Sequence, residues 1–334
     1  MNKPTIFLII SIISLIISSC KNDVDLFKDG EETTIVYGYI DCDVDTNYLK
    51  ITKSFVGNAI ELAPQYSASN YDYKLDVRLI GKFAKSPNVI TEVILDTTSV
   101  FKPYDPEGLF YSGRDQVLYY TTEKFLENER YRLVITRKDG VNITSEIKTI
   151  SGSRLTKPFG SISFEPYNSQ IQWTPRIPFD LAAYYEVVGY FHYKEISAEG
   201  ATDTVRHTMR WVMGSGTGEE LYNSADRKLS INYTPNSFYT RLAATDNIAN
   251  NQSDYVQRFS EGFEIVITAT GDELYKYISI QNSGSAIIDT PEFTNIENGI
   301  GIFSSRSVYS QTLPLYGYTI NNLIENWNFV IEYN

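Results

Sequence analysis

The chain has 334 residues and a formal net charge of −12 at pH 7, and 42% of its residues are hydrophobic and 14% aromatic. The acidic balance argues against nucleic acid as a partner, because a surface that binds nucleic acid is basic, and against adsorption to anionic lipid head groups. The composition excludes the disordered, collagen-like and repeat classes, and a chain of this length can bury a sizeable core.

The first twenty residues carry the pattern of an export signal. Lys3 supplies a positive charge, and residues 6–17 form an apolar run that suits a secretory signal but is too short to span a bilayer. Ile17-Ser18-Ser19-Cys20 then resembles the lipobox of bacterial lipoproteins, in which the cysteine is acylated and becomes the new N-terminus. We therefore expect a signal peptide over residues 1–19 and a membrane anchor through the lipid on Cys20. A plain cleaved signal and an uncleaved anchor are the alternatives.

Cys20 and Cys42 are the two cysteines of the chain. An acylated Cys20 cannot form a disulfide, so we expect no intramolecular bridge. Cys42 is predicted to be a small, partly buried residue rather than a nucleophile. Residues 20–32 are polar and net acidic, which predicts a tether between the lipid and the folded part. Similar acidic stretches accompany export to the outer face of the outer membrane in Bacteroidota-type lipoproteins, and an ordinary solvated linker is the alternative.

Residues 33–150 are predicted to form an immunoglobulin-like β-sandwich. Apolar and charged side chains alternate over residues 73–79, which is typical of a half-buried strand. Asp139-Gly140 between two alternating segments predicts a hairpin. Further strands are predicted over 34–40, 48–52, 89–95, 116–121, 130–135 and 141–147. Two stretches, 58–70 and 101–114, are predicted to be long loops.

Residues 151–334 are predicted to form a β-rich domain with one or two short helices, after a boundary at Ser151-Gly152-Ser153. Strands are predicted over 161–164, 170–173, 184–193, 204–213 and 263–270. The two longest of these are expected to pair across an exposed tip near Gly200. An acidic start followed by apolar residues at helical spacing predicts a helix over 272–278, and a second helix is predicted over 237–244.

Residues 294–303 resemble a signature, Asn-Ile-x-x-Gly-x-Gly-x-Phe, of a Bacteroidota family of cell-envelope lipoproteins, the domain-of-unknown-function family 4249. The signature positions are Asn295, Gly299, Gly301 and Phe303. The strand-turn-strand over 35–55 also fits the family, whereas Asn298 stands where a second glycine is common. The resemblance implies a lipidated, β-rich envelope protein, with some members encoded near outer-membrane nutrient transporters. It implies no catalytic residues.

The same residues can be interpreted without the family. Gly299 and Gly301 permit a positive φ or a close backbone approach, and the apolar residues after them predict a return to a buried strand. A glycine-rich phosphate cradle is the alternative, but the strand-loop-helix context and the Lys-Ser/Thr pair that it needs are missing. We therefore predict a structural role for the signature.

Asp41, Asp43 and Asp45 alternate in the manner of a calcium-binding loop. Thr46 and Thr52 stand where such a loop needs a glycine and a bidentate glutamate. A polar β-turn with bonds between side chains and the local backbone is the favoured interpretation. Calcium is the alternative, and it would have to neutralise three carboxylates that repel one another.

His192 and His207 are the two histidines of the chain, and their setting does not predict a zinc site. If their strands pair, the two imidazoles could come together, although satisfied or solvent-facing side chains are favoured. Residues 213–218 hold alternating glycines but fail the dinucleotide fingerprint, which favours a flexible loop. No cofactor is expected.

A sugar-cleaving site would need two carboxylates at the right separation. Acidic residues that could supply it are Asp180, Glu186, Glu219 and Glu220. Three tryptophans could stack on sugars. Trp173 alternates within a strand and is predicted to lie in the core, whereas Trp211, beside the 214–218 loop, is the better candidate for an exposed platform, and Trp327 is left open.

These observations predict a non-catalytic lipoprotein of the outer membrane, surface-exposed rather than periplasmic. We expect it to act as a binding or accessory component of nutrient uptake. Its expected partners are the membrane, through Cys20, an outer-membrane β-barrel transporter, and a glycan or peptide ligand. The alternatives are an enzyme that degrades an extracellular polymer, and an adhesion or matrix subunit that offers an exposed strand edge.

Overall fold

The structure, a computed structural model, describes residues 32–55, 59–83, 86, 88–107, 111–167, 170–197, 204–250, 256–283 and 293–330. The expected signal peptide, Cys20, nearly all of the expected tether and the expected tip near Gly200 lie outside these residues. Strands make up 52% of the structure and helices 16%, which confirms the mainly β fold predicted from the sequence. Within the described part of the chain, no helix is long and apolar enough to cross a membrane.

Eight strands and two short helices form the N-terminal half. They are β1 (Thr34–Ile40), β2 (Asn47–Lys53), α1 (Ala59–Leu62), α2 (Tyr66–Ser69), β3 (Asp76–Lys82), β4 (Val89–Ile94), β5 (Asp96–Lys102), β6 (Arg114–Thr121), β7 (Arg130–Thr136) and β8 (Asn142–Lys148). Every strand predicted here is present, although the one predicted over 73–79 begins at Asp76 and continues to Lys82. Helices α1 and α2 lie in the segment predicted as a loop over 58–70. Strand β5 was not predicted, because its mostly exposed side chains show no apolar alternation.

The described residues of the C-terminal half form nine strands and five helices, which is more helices than the one or two expected. They are β9 (Ser153–Lys157), β10 (Gln170–Pro175), β11 (Tyr184–Ser197), β12 (Thr204–Thr217), α3 (Gly218–Leu221), β13 (Tyr222–Asn223), β14 (Lys228–Asn232), α4 (Asn236–Ala243), α5 (Asp246–Asn250), β15 (Val256–Thr270), α6 (Asp272–Ser283), β16 (Gly299–Leu313), α7 (Tyr318–Trp327) and β17 (Phe329–Val330). Both predicted helices are present, as α4 and α6. Residues 161–164 are not a strand: Ile162 forms an isolated bridge with Leu315 while its side chain is buried.

Two β-sandwiches pack around separate cores. In the first, the sheet β4-β3-β7-β8 faces strands β1, β2, β6 and β5, and the inward side chains of both layers form one buried cluster that includes Val36 and Leu133. In the second, the sheet β13-β14-β10-β9 faces β12, β11, β15 and the end of β16. Trp173 is fully buried in this second core, as predicted.

Strand β16 belongs to both sandwiches. Its first seven residues, 299–305, pair in parallel with β1, and residues 306–313 pair antiparallel with β15. The two large layers therefore join into one continuous sheet of order β12-β11-β15-β16-β1-β2-β6-β5, with β17 paired to β15 on the side. Strand β1 therefore pairs with β2 on one side and with β16, which comes much later in the chain, on the other.

The signature residues build this joint. Gly301 has φ +109° and lies so close to β1 that an added Cβ would stand 2.0 Å from the carbonyl oxygen of Val36. Gly299 is similarly close, because its Cβ would stand 2.8 Å from the carbonyl oxygen of Thr34. Asn298 adopts a positive φ of 58°, which explains why glycine would suit this position. Phe303 follows as a fully buried core residue.

Candidate functional site

The aspartate-rich turn after β1 is held by its own side chains. The backbone N–H of Asp41 donates to Asn47 Oδ1 at 2.8 Å, and the backbone N–H of Asp43 donates to Asp41 Oδ1 at 3.0 Å. Lys124 pairs with Asp45 at 2.6 Å. Among the residues that the structure describes, no group of three or more side chains is placed to hold a metal ion. The turn therefore contains the bonds between side chains and local backbone that the polar β-turn interpretation predicts.

The two histidines are separated by the sheet. His192 lies directly opposite Thr208 on β12, one position away from His207, so the two rings point to opposite faces. The contact between imidazoles that strand pairing could have brought about is therefore not formed. Nε2 of His192 lies 3.0 Å from Glu264, and Nε2 of His207 lies 3.0 Å from Glu195. His192 is hydrogen-bonded to its carboxylate, as expected for a satisfied histidine, whereas Nε2 of His207 lies close to Glu195 but makes no hydrogen bond with the described residues.

Residues 213–218 do not form the flexible loop expected from their glycines. They complete β12 and begin α3, where Thr217 caps the helix by accepting a hydrogen bond from the backbone N–H of Glu220. Trp211 is 3% exposed and packs on Phe164, with ring centroids 5.7 Å apart. The prediction that Trp211 forms an exposed platform is wrong, because the face of β12 that carries Trp211 covers the second core. Trp327 is half-buried.

Two of the four acids considered for sugar cleavage have partners of their own. Asp180 pairs with Lys148 at 2.8 Å, and Glu220 accepts the backbone N–H of Thr217 as part of its helix cap. Glu186 lies within β11, and Glu219 is exposed in the first turn of α3.

A cavity of about 550 Å³ opens on the outer face of the continuous sheet, and we call it the tyrosine cavity. It is lined by Tyr37, Gly38, Tyr39, Asp41, Val44, Thr46, Asn47, Tyr48, Lys50, Leu118, Leu274, Tyr277, Ile302 and Arg306. Strands β1, β2, β6 and β16 form its floor, and α6 supplies one wall. This is the candidate functional site.

The period of two along the strands places these side chains. On β1, Val36 and Ile40 are buried in the first core, so Tyr37 and Tyr39 point to the opposite face. On β2 the buried Leu49 likewise leaves Tyr48 outside, where 48% of its surface is exposed. Tyrosine suits such a surface, because its ring is apolar and its hydroxyl can stay hydrated.

Helix α6 is fastened beside the cavity by contacts with the sheet. Ser304 Oγ donates to Glu273 at 3.0 Å and accepts the backbone N–H of Leu274 at 3.1 Å. Tyr275 stacks on Tyr184 of β11, with ring centroids 5.1 Å apart. These contacts present Leu274 and Tyr277 to the cavity from a fixed element.

The polar end of the cavity contains an imperfect ion pair. Oδ2 of Asp41, a fully buried residue, lies 3.8 Å from Nε of Arg306, which is beyond hydrogen-bond length. Neither atom has a hydrogen-bond partner among the described residues. The Arg306 guanidinium lies over the ring of Tyr39 at 4.1 Å. Burial raises the pKa of Asp41 and outweighs the hydrogen bond from the Asp43 backbone and the charge of Arg306, which both lower it.

A second cation, Lys50, lies on the floor of the cavity. Its partial burial, and then the nearby charge of Lys102, lower its pKa. Lys102 itself is engaged, since its Nζ donates to the carbonyl oxygen of Tyr111 at 2.7 Å. The cavity therefore holds two cationic side chains and one acid, Asp41, in a protein of net negative charge.

This arrangement is suited to binding. Tyrosine rings offer apolar faces, and Arg306 offers donors that no described residue fills. Neither a histidine nor a cysteine is among the residues that line the cavity. Cys42, next to Asp41 in the chain, points into the first core, and burial followed by the charges of Glu127 and Asp41 raises its pKa to about 12.

Sequence reasoning missed this site. Tyr37 and Tyr39 belong to a predicted strand, and their alternation with the buried Val36 was the available signal that two tyrosines share an outer face. Arg306 could not be placed there without the pairing of β16 with β1.

Comparison of the chain with protein-family models and with curated proteins gives no match.

Proposed function

We propose that this protein is a non-catalytic, lipid-anchored component of the cell envelope that binds a ligand in the tyrosine cavity, as an accessory to nutrient uptake at the outer membrane. The anchor rests on the lipobox and Cys20, and the binding role rests on the cavity. The observation that carries the proposal is an apolar, tyrosine-lined cavity that ends in a guanidinium with unfilled donors. Such a combination of apolar walls and few polar groups is typical of ligand sites.

The position of the cavity suits a protein that faces outward from a membrane. The tether would enter the fold at Thr34, the first residue of β1, whereas the polar end of the cavity lies at Asp41, past the last residue of β1. At about 3.3 Å per strand residue these points are roughly 20 Å apart. A ligand site at the far end of β1 would remain accessible on an anchored molecule.

A catalytic role is less well supported. Hydrolysis of a glycosidic bond by the common mechanisms needs two carboxyl groups about 5 to 10 Å apart. Asp41 is the single acid among the described residues that line the cavity. The enzyme alternative therefore has no partner for Asp41 at this site.

The test is a binding screen on the lipidated protein, purified in mild detergent, against arrays of glycans and peptides. Wild type is compared with Tyr48→Ala and with Tyr167→Ala, a change of an almost fully exposed tyrosine outside the cavity. We expect at least one ligand whose binding is lost in Tyr48→Ala and kept in Tyr167→Ala. Binding that both variants retain would reject the cavity as the site.

Affinity capture of the tagged protein from solubilised envelopes tests the accessory role separately. Recovery of an outer-membrane β-barrel in near-equal amount is the expected result. Recovery of the lipoprotein alone would contradict the link to a transporter while leaving ligand binding to be judged by the arrays.

A further inference from the structure

We infer that the ligand of the tyrosine cavity is an acidic saccharide, whose sugar ring packs on the tyrosines while its carboxylate is bound by Arg306. The inference rests on the proposed function, because it specifies the ligand class of the same cavity. Three features of the cavity carry it: an arginine with free donors, a surplus of positive charge, and a platform of rings that continues beyond the cavity.

Arg306 is the recognition element for the carboxylate. Its guanidinium stacks over Tyr39 and contacts one protein acid, Asp41, at a separation of 3.8 Å that leaves no hydrogen bond. Nε of Arg306 is buried and has no hydrogen-bond partner among the described residues, so the two terminal Nη groups are the donors that would meet a ligand. A planar guanidinium binds a carboxylate through two parallel hydrogen bonds, and stacking on a ring holds that plane in place.

The charge inside the cavity favours an anion. Arg306 and Lys50 both line it, against Asp41 alone. The excess is local, since the chain as a whole has a net charge of −12. Because Asp41 faces Arg306, a neutral ligand would leave Lys50 without a counter-charge among the residues that line the cavity.

The tyrosines favour a ring of sugar type over a simple carboxylate. Tyr48 lies at the edge of the cavity, and its ring is followed by that of Tyr120, with centroids 6.2 Å apart and planes inclined by 32°. The two rings extend the platform out of the cavity along the sheet. The hydroxyl of Thr46, which lines the cavity, can accept or donate a hydrogen bond to a sugar hydroxyl.

The experiment is a calorimetric titration of the full lipidated protein with trigalacturonate and with its fully methyl-esterified form. The ester keeps the rings and hydroxyls and removes the negative charges. We expect the acid to bind more tightly than the ester, and Arg306→Gln to weaken binding of the acid by about tenfold to a hundredfold. In Arg306→Gln the preference for the acid should disappear. Arg306→Lys, which keeps the charge without the fork, should give an intermediate affinity.

Two matched controls accompany this series. Arg132→Gln removes an exposed arginine from β7, outside the cavity, and should leave the acid-to-ester ratio unchanged. Tyr48→Ala should weaken binding of the acid and binding of the ester by the same factor. If Arg306→Gln fails to fold, the preference for an acidic ligand is tested instead by the ratio of acid to ester affinity in wild type and in Lys50→Gln.

The outcomes separate the two proposals. Equal binding of acid and ester, both sensitive to Tyr48→Ala, would overturn the acidic ligand and keep the binding cavity. An unchanged ratio in Arg306→Gln would overturn the role of Arg306. If trigalacturonate and its ester do not bind, while a neutral glycan or a peptide from the arrays does, the inference fails alone. If nothing binds in the cavity, both proposals fail.

Discussion

The side-chain amide of Asn295 exchanges two hydrogen bonds with the backbone of Phe303. Nδ2 donates to the carbonyl oxygen at 2.6 Å, and the backbone N–H of Phe303 donates to Oδ1 at 3.0 Å. The antiparallel ladder between β15 and β16 ends at Arg306, so Phe303 lies beyond its reach. The amide therefore stands in for a neighbouring strand at the point where β16 passes from one sandwich to the other.

Replacing this amide should destabilise the whole protein. In Asn295→Ala the N–H and C=O groups of the buried Phe303 lose both partners, and we expect the free energy of unfolding to fall by about 2 to 4 kcal/mol. Urea unfolding followed by fluorescence measures the change. Asn326→Ala, at an exposed position of α7, is the matched control and should change the free energy by less than about 0.5 kcal/mol. Equal losses in the two variants would contradict the structural role of the signature.

A comparison of two glycines tests the close approach of β16 to β1. Gly301 and Gly140 both have a positive φ, of +109° and +83° respectively. At Gly301 an added Cβ would stand 2.0 Å from the carbonyl oxygen of Val36, whereas at Gly140 it would meet nothing within 4 Å. We expect Gly140→Ala to cost about 1 to 2 kcal/mol of stability from backbone conformation. Gly301→Ala should cost several times more or prevent folding. Thermal unfolding of both variants measures the difference, and similar melting temperatures would refute the packing argument.

The buried carboxyl of Asp41 should give the protein a distinctive pH dependence. Burial raises its pKa above the ordinary 3.8, so its contribution to stability is fully present below that pH and is lost as the pH rises through the folded-state pKa. We therefore expect Asp41→Asn to gain stability relative to wild type as the pH rises above about 4. Urea midpoints at several pH values measure this gain.

Asp45 provides a control of opposite sign in the same turn. The hydrogen bond from Lys124 lowers its pKa, so its contribution is present above the ordinary pKa and is lost as the pH falls through the folded-state value. Relative to wild type, Asp45→Asn should lose stability as the pH rises. If both variants followed the same slope, the burial of Asp41 would not be the cause.

The thiol of Cys42 should be inert in the folded protein. A pKa of about 12, against about 8.5 in an unfolded chain, lowers the thiolate fraction at pH 8 by about a thousandfold. Alkylation with iodoacetamide, read by mass spectrometry of the peptide that contains Cys42, should be slow in buffer and fast in urea. Rapid labelling of the folded protein would show that this thiol is accessible.

Most strands of the fold could be predicted from the sequence, because alternation of apolar and polar residues reports which face of a strand is buried. This holds for β3 and β7, whose inward residues lie in the first core. It fails for β5, which ends a sheet and buries little. It fails also at Trp211, since alternation in β12 does not tell which of its two faces meets the second core.

Prediction of the site from the sequence would have required knowledge of which strands pair, and local patterns do not contain it. Tyr37 and Tyr48 can be placed on an outer face from their own strands, but Arg306 reaches them through the pairing of β16 with β1. That pairing joins segments far apart in the chain. The signature at Gly299 and Gly301 predicted a close backbone approach, but it did not predict which strand these glycines approach. A partner strand is a property of the whole fold.

The shared strand also determines the order in which the protein can be completed. Ser305 Oγ on β16 donates to the carbonyl oxygen of Ile40 on β1, across 265 positions of the chain. A chain emerging from its N-terminus presents β1 early, with one edge open until residues 299–305 arrive. Closing so long a loop is entropically costly and slow. The first sandwich is therefore complete only once residues 299–305 have paired with β1, and a chain truncated before Gly299 would leave the edge of β1 exposed to aggregation.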